Sequence, residues 1–190
     1  MDKRAIGVFD SGLGGLTAVR QLRRVLPGED IVYFGDTGRV PYGSRSPETI
    51  LQYARQDVAF LLSKNVKCIM AACGTVSSTY PAAEAAQLPV PYLGVVDAAA
   101  REAAFVTRNR RIGVIGTRGT LTSEKFSRLL ASLAGQAEFI VQPCDGLARA
   151  IEDSTAQPLP TNPFATETRA LCARYISAMG TFGTETGEID

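Results

Sequence analysis

The stretch Ala5-Ile6-Gly7-Val8-Phe9, running into Asp10-Ser11-Gly12-Leu13-Gly14-Gly15, decides the fold class. Five apolar residues are too few for a helix, and a polar, glycine-rich turn cuts them off, which predicts a buried strand. Beyond the turn, Leu16, Val19, Leu22 and Val25 or Leu26 recur at helical spacing, with Arg20, Arg23 and Arg24 outside that stripe. This predicts an amphipathic helix over 14–25, stopped by Pro27-Gly28. A short buried strand, a tight turn and a helix make the opening unit of a parallel α/β sheet.

The same rhythm continues along the chain. Short apolar runs predict strands at 31–34, 66–72, 92–96, 111–116 and 139–141. Helical patterns fill the intervals at 75–86, 98–107, 122–133 and 145–153. The clearest helix start is Ser46-Pro47-Glu48, a capping serine with proline at the first helical position, opening a helix to about Lys64. Loops are expected over 36–46 and 154–163, and Pro163 opens a last helix to about Met179. Residues 180–190 read either as a frayed tail or as the loop into a strand that starts at Ile189. The expected architecture is α/β, with two Rossmann-like parallel-sheet lobes over 1–96 and 97–190, the second incomplete, and a site in the cleft between them. In such sheets, ligands lie beyond the carboxyl ends of the strands.

Composition excludes several classes. The 190 residues carry 20 Lys+Arg against 19 Asp+Glu, a formal +1, so there is no basic footprint for nucleic acid or a membrane surface. No apolar run approaches the roughly 20 residues of a membrane span. The N-terminal residues show no signal-peptide pattern, and a cytoplasmic protein is expected. Histidine is absent, which removes His-dependent triads, imidazole acid–base chemistry and His-ligated metals. Cys68, Cys73, Cys144 and Cys172 form no CxxC or paired zinc spacing, so free thiols and no metal or cofactor are expected.

Three strand ends carry small polar residues that a parallel sheet brings to one edge: Asp10 to Gly15, Gly35-Asp36-Thr37 with Val40 to Ser44, and Cys73 to Ser78. The first lacks the glycine at position 17 that a dinucleotide fingerprint needs, where Thr17 stands. Its glycines still expose backbone N–H groups to an anion such as a carboxylate or phosphate. Asp10 argues against a nucleotide phosphate and suits an ammonium group or a proton relay. Cys73 falls at a strand-to-helix seam, where a helix N-terminus favours thiolate over thiol. Thr75, Ser77 and Ser78 add hydroxyl donors on the same turn. A thiolate there can act as nucleophile or as proton acceptor. A nucleophilic cysteine hydrolase usually has a histidine partner, whereas proton abstraction needs only the thiolate and an anion site. The reading requires an ionised, accessible Cys73. Cys68, Cys144 and Cys172 read as structural. Arg108, Arg110 and Arg111 read as a solvated turn, and Glu152-Asp153 as surface charge.

Taken together, these stretches resemble the glutamate racemase family, within the aspartate/glutamate racemase superfamily. The matching segments are IGVFDSGLGGLTAVRQLRRVLP (6–27), EDIVYFGDTGRVPYGSRSPETI (29–50), ACGTVSS (72–78), GVVDAAAREA (94–103), RIGVIGTRGTLTS (111–123) and the segment to IEDS (151–154). The resemblance implies cofactor-independent interconversion of L- and D-glutamate by two cysteines on opposite faces of the substrate, with D-glutamate feeding peptidoglycan synthesis. It makes Cys73 the first of those cysteines, with Asp10 supporting its proton transfer. It places Ser11, Tyr42, Gly43, Gly74 and Thr75, with Asp10, at the substrate, and Asp36 and Glu152 as supporting acidic residues.

Two departures carry consequences. The family usually has Asn after the first cysteine, where this chain has Gly74. The family also continues past the equivalent of Asp190 into a Gly-Cys-Thr-His motif that supplies the second cysteine. With one thiol, a planar carbanion regains its proton from the face it lost it from, so little net racemisation is expected of this chain. Exposed apolar surface, with aggregation or pairing into a homodimer, is a further expectation. The alternatives are a related enzyme for another acidic amino acid such as aspartate, and a non-catalytic glutamate-binding fragment.

Overall fold

The computed structural model describes residues 2–155, 166–183 and 185–189. Contacts within the chain cluster into two units, Met1–Val96 and Asp97–Asp190.

In the first unit β1 (Ile6–Asp10) is buried along its whole length and lies between β2 (Ile31–Gly35) and β3 (Cys68–Ala71). β4 (Tyr92–Gly94) pairs with β3, giving the order β2-β1-β3-β4 with every pairing parallel. A strand buried on both faces reads as a continuous apolar run, which is why Ile6 to Phe9 carries no alternation. α1 (Leu16–Val25) follows the first turn. α2 (Pro47–Ser63) starts as expected: the Ser46 hydroxyl accepts the Thr49 N–H at 3.3 Å, with Pro47 in the first turn. Ile50, Ala54, Val58 and Leu61 on α2 are buried in one core with Phe9, Ile69 and Val76.

In the second unit β5 (Arg111–Gly116) pairs in parallel with β6 (Glu138–Pro143). α5 (Val95–Val106) leads into β5. After β5 come α6 (Arg118–Leu121) and α7 (Glu124–Leu133), and after β6 come α8 (Leu147–Thr155) and α9 (Thr166–Ser177). The Ser123 hydroxyl caps α7 by accepting the Phe126 N–H at 3.1 Å, and Phe126, Leu129 and Leu133 turn inward.

Several expectations are corrected. The helix expected over 75–86 is two pieces, α3 (Gly74–Thr79) and α4 (Ala82–Ala85), because Pro81 has no N–H to give and holds Tyr80 extended. The strand expected over 92–96 stops at Gly94, since α5 begins at Val95 with no loop between. The helix expected from 122 is preceded by the separate turn α6. α1 has the expected period, yet none of its residues is buried, and Leu16 and Val25 are exposed. The described residues 181–183 and 185–189 are not frayed: Ile189 bridges to Phe182 and is buried, and the Asn109 side-chain amide donates to the carbonyls of Gly183, Glu185 and Glu188. The expected linker, from residue 156 on, and the helix start at Pro163 lie outside the described residues. Among the described residues, no helix is long and apolar enough to cross a membrane.

Candidate active site

The register of the first sheet brings three chain segments to one edge. Asp10 pairs with Gly35, and Phe9 with Ala71. The ladder extends one step further, with the Asp36 N–H donating to the Asp10 carbonyl and the Ala72 N–H to the Phe9 carbonyl, each at 2.9 Å. Asp10, Asp36 and Cys73 therefore leave the sheet side by side.

The first turn is built around the Asp10 carboxylate. Its Oδ2 accepts the N–H of Gly15 at 2.9 Å and of Gly12 at 3.3 Å. The sequence reading offered these glycine N–H groups to a ligand anion, and that expectation is overturned: the chain supplies its own carboxylate there, at the start of α1. Glycine is required by space. A Cβ on Gly15 would lie 2.7 Å from the Asp10 Cβ, and one on Gly35 would lie 2.6 Å from the Gly12 carbonyl oxygen. The Tyr33 hydroxyl donates to that same carbonyl at 2.9 Å.

Cys73 precedes α3 and is 5% exposed. Its thiol donates to the Ser11 hydroxyl at 3.3 Å, which joins the ends of β1 and β3. Burial raises its pKa, and the neighbouring Asp10 charge raises it further; the Ser11 hydroxyl and the N–H groups of Val76 and Ser11 pull it down. The expected resting thiolate is therefore corrected to a neutral thiol. The helix N-terminus acts in the predicted direction, but α3 is one and a half turns long, and dehydration outweighs it.

The hydroxyls on α3 do a different job from the one expected. The Ser77 hydroxyl accepts the Val96 N–H at 3.1 Å and the Ser78 hydroxyl donates to the Gly74 carbonyl at 2.8 Å, both from buried positions. The first ties α3 to Val96, and the second closes within α3 itself. Thr75 is buried on the same turn, and Gly74 is its first residue.

The 36–44 loop forms a second cluster. Tyr42 opens a 3-10 turn over Tyr42–Ser44 that includes Gly43, and it is fully buried. Its hydroxyl bonds to Asp36 Oδ2 and to Asp57 Oδ2, the latter at 2.9 Å. Arg39 reaches Asp36 through Nε at 2.5 Å and Asp57 through Nη2 at 3.0 Å, and its guanidinium lies over the Tyr53 ring. The side-chain partners of Asp36 are thus Arg39 and Tyr42 rather than Cys73. Sequence reasoning missed Arg39 and Asp57. The signal for Asp57 was present: it falls on the inward face of α2, in phase with Ile50, Ala54 and Leu61, where a lone carboxylate needs a partner. Glu152 lies on α8 in the second unit, half-buried. Cys144 is buried behind β6 with its N–H on the Gly116 carbonyl, and Cys172 is half-buried on α9. Among the described residues, no group of three or more acidic or cysteine side chains is placed to hold a metal.

Comparison with known proteins gives consistent matches. Residues 14–179 match the family model for Asp/Glu/hydantoin racemase. A glutamate racemase of Geobacter metallireducens is 42% identical over 144 residues, 76% of this chain and 53% of that protein. A crystal structure of a glutamate racemase isoform from Bacillus anthracis superposes with a TM-score of 0.81 at 33% identity, over 94% of this chain and 64% of that one. A glutamate racemase from Francisella tularensis, crystallised with D-glutamate, gives 0.77 at 32% identity over the same shares. The chain spans about half the length of the first curated relatives it matches.

Proposed function

The chain belongs to the Asp/Glu/hydantoin racemase family, and we propose that its site moves the α-proton of an acidic amino acid, glutamate in the first instance, with no cofactor. The observation that carries this is the meeting of Cys73, Ser11 and Asp10 at one sheet edge. The base is the ionised sulfur of Cys73. It takes the proton from Cα, the C–H electron pair stays on carbon, and the adjacent carboxylate delocalises it. Return of the proton from the same sulfur closes a one-sided exchange. Net inversion needs an acid on the opposite face.

A neutral resting thiol is compatible with this chemistry if substrate changes its surroundings. The Asp10 charge is one of the causes that hold Cys73 protonated. A substrate ammonium set against Asp10 cancels that charge, so that ionisation of the thiol follows binding. Ser11 then donates to the sulfur anion. Tyr42 acts by holding its loop, while Gly43, Gly74 and Thr75 supply backbone and hydroxyl contacts. On this reading the product, D-glutamate, feeds bacterial cell-wall synthesis in the cytoplasm.

The test is deuterium uptake at Cα of L-glutamate in D2O, followed by NMR. Uptake that disappears in Cys73→Ser supports the reading, and uptake that persists overturns it. The burial of Cys73 favours a second reading, glutamate capture without chemistry. Calorimetric binding with no deuterium uptake selects it. Gly74 leaves the substrate class open, and faster exchange on L-aspartate than on L-glutamate moves the assignment to that amino acid.

A further inference from the structure

Asp57 is a buried carboxylate that the proposed chemistry does not use. It sits in the middle of α2 with its side chain 1% exposed, facing the loop that carries Tyr42 and Gly43. Two carboxylates, Asp36 and Asp57, share one phenol and one guanidinium there. A count of hydrogens decides how they are held. The Tyr42 hydroxyl has one proton, yet its oxygen is within bonding distance of Asp36 Oδ2 and Asp57 Oδ2 at once. With both carboxylates ionised, one of those two contacts is acceptor against acceptor. With a proton on Asp57, both are satisfied: Tyr42 donates to Asp36, and Asp57 donates to the Tyr42 oxygen. The charges agree, since Arg39 then faces one carboxylate charge instead of two.

We propose that Asp57 is a positioning residue for the substrate loop: its protonated carboxyl group locks Tyr42 onto Asp36, and loss of that proton loosens residues 38–44. The proposal rests on the reading of the site given above, in that loop 38–44 is the segment carrying Gly43 to the substrate.

The electrostatic surroundings support it. Burial raises the Asp57 pKa to about 6, with the Asp36 charge adding to the rise while the Tyr42 hydrogen bond and Arg39 oppose it. Among the elements packed on α2, α3 carries no titratable side chain. Asp10 on β1 bonds to the Gly12 and Gly15 N–H groups, and Tyr33 on β2 bonds to the Gly12 carbonyl. Asp36, Arg39 and Tyr42 are therefore the groups that set the protonation of Asp57.

Asparagine at 57 imitates the protonated acid permanently, because its amide donates toward Tyr42 while its carbonyl accepts from Arg39. Alanine supplies neither. The experiment is amide hydrogen exchange of residues 38–44 by mass spectrometry, expressed as protection factors corrected for intrinsic rates. Calorimetric titration with L-glutamate runs alongside at each pH. In the unmodified chain, protection is expected to fall about tenfold from about pH 5 to about pH 8 as the proton leaves. Asp57→Asn stays protected across the range, and its glutamate affinity does not fall as pH rises. Asp57→Ala is unprotected throughout and binds glutamate about tenfold more weakly, a loss of about 1.4 kcal/mol.

Protection that ignores pH in the unmodified chain, or an Asn variant that behaves like the Ala variant, overturns the proposal. If the Ala variant does not fold, the unmodified chain and the Asn variant decide by the same two criteria. Absence of glutamate binding in every variant, with the protection pattern intact, overturns the reading of the site and supports the assignment of Asp57 to the loop.

Discussion

Cys73 and Ser11, 62 residues apart in the chain, are joined by a thiol-to-hydroxyl hydrogen bond of 3.3 Å. The bond fixes the sulfur at the ends of β1 and β3 and sets how readily it ionises. Burial and Asp10 hold the thiol above its ordinary range, while Ser11 works against them. At neutral pH, Cys73 is therefore expected to alkylate with iodoacetamide at least about tenfold slower than a simple thiol of pKa ~8.5. Its rate should climb as pH rises past 9. Ser11→Ala removes a contact that stabilises the anion, so the rate falls further. Peptide mapping of the alkylated thiols checks both statements, and a Cys73 that reacts as fast as free cysteine contradicts them.

Asp10 affects the same sulfur in two opposed ways, which makes its variant informative. Asp10→Asn removes the charge that raises the thiol pKa but keeps an oxygen that can accept the Gly15 N–H. Alkylation of Cys73 should speed up, because a charge that holds the thiol protonated is gone. Deuterium exchange into glutamate should slow instead, because the ammonium partner is lost. A purely structural Asp10 moves both readouts in the same direction.

Much of this arrangement is legible in the residues. The unbroken run Ile6 to Phe9 says that β1 is covered on both faces, and Ser46-Pro47 gives the start of α2 to the residue. Other features depend on contacts between distant segments. Nothing in Asp10-Ser11-Gly12 says whether the glycine N–H groups wait for a ligand or already bind the aspartate beside them. That depends on a side-chain rotamer, and Asp10 turns back onto its own turn. The hydroxyls of Ser77 and Ser78 read as donors on the Cys73 turn, yet Val96 and Gly74 take them. The break between α3 and α4 is legible at Pro81, which lies inside the helical pattern over 75–86. The ionisation of Cys73 needed the balance of burial against a short helix, which is a matter of magnitudes and not of pattern.

The crowding around the first turn makes a stability prediction. A methyl at Gly35 would meet the Gly12 carbonyl oxygen at 2.6 Å, and a backbone atom cannot move aside as a flexible side chain does. Gly35→Ala should destabilise the chain by about 1–3 kcal/mol, read as a lower urea midpoint. Gly28→Ala, at a position with nothing within 4 Å, should leave the midpoint within about 0.5 kcal/mol. Equal effects at the two positions would contradict the close approach of the β1 and β2 loops.

The buried carboxyl of Asp57 gives the chain a stability that depends on pH with a definite sign. Its folded pKa of about 6 lies above the ordinary value of 3.8, so the folded state holds this proton more tightly than the unfolded chain does. Stability from this group is fully present below about pH 4, declines as pH rises toward about 6, and is flat above. The opposite holds for a carboxylate whose pKa is lowered by an ion pair, so Arg39 does not set the sign here. Asp57→Asn has no proton to lose. The free-energy difference between the Asn variant and the unmodified chain should grow by on the order of 2–3 kcal/mol in favour of Asn between about pH 4 and pH 7. Taking the difference cancels the contributions of groups that titrate alike in both chains. Urea denaturation at four pH values measures it. A difference that stays constant, or that grows toward acid pH, would mean that Arg39 holds Asp57 as an anion and that the hydrogen count at Tyr42 is satisfied in another way.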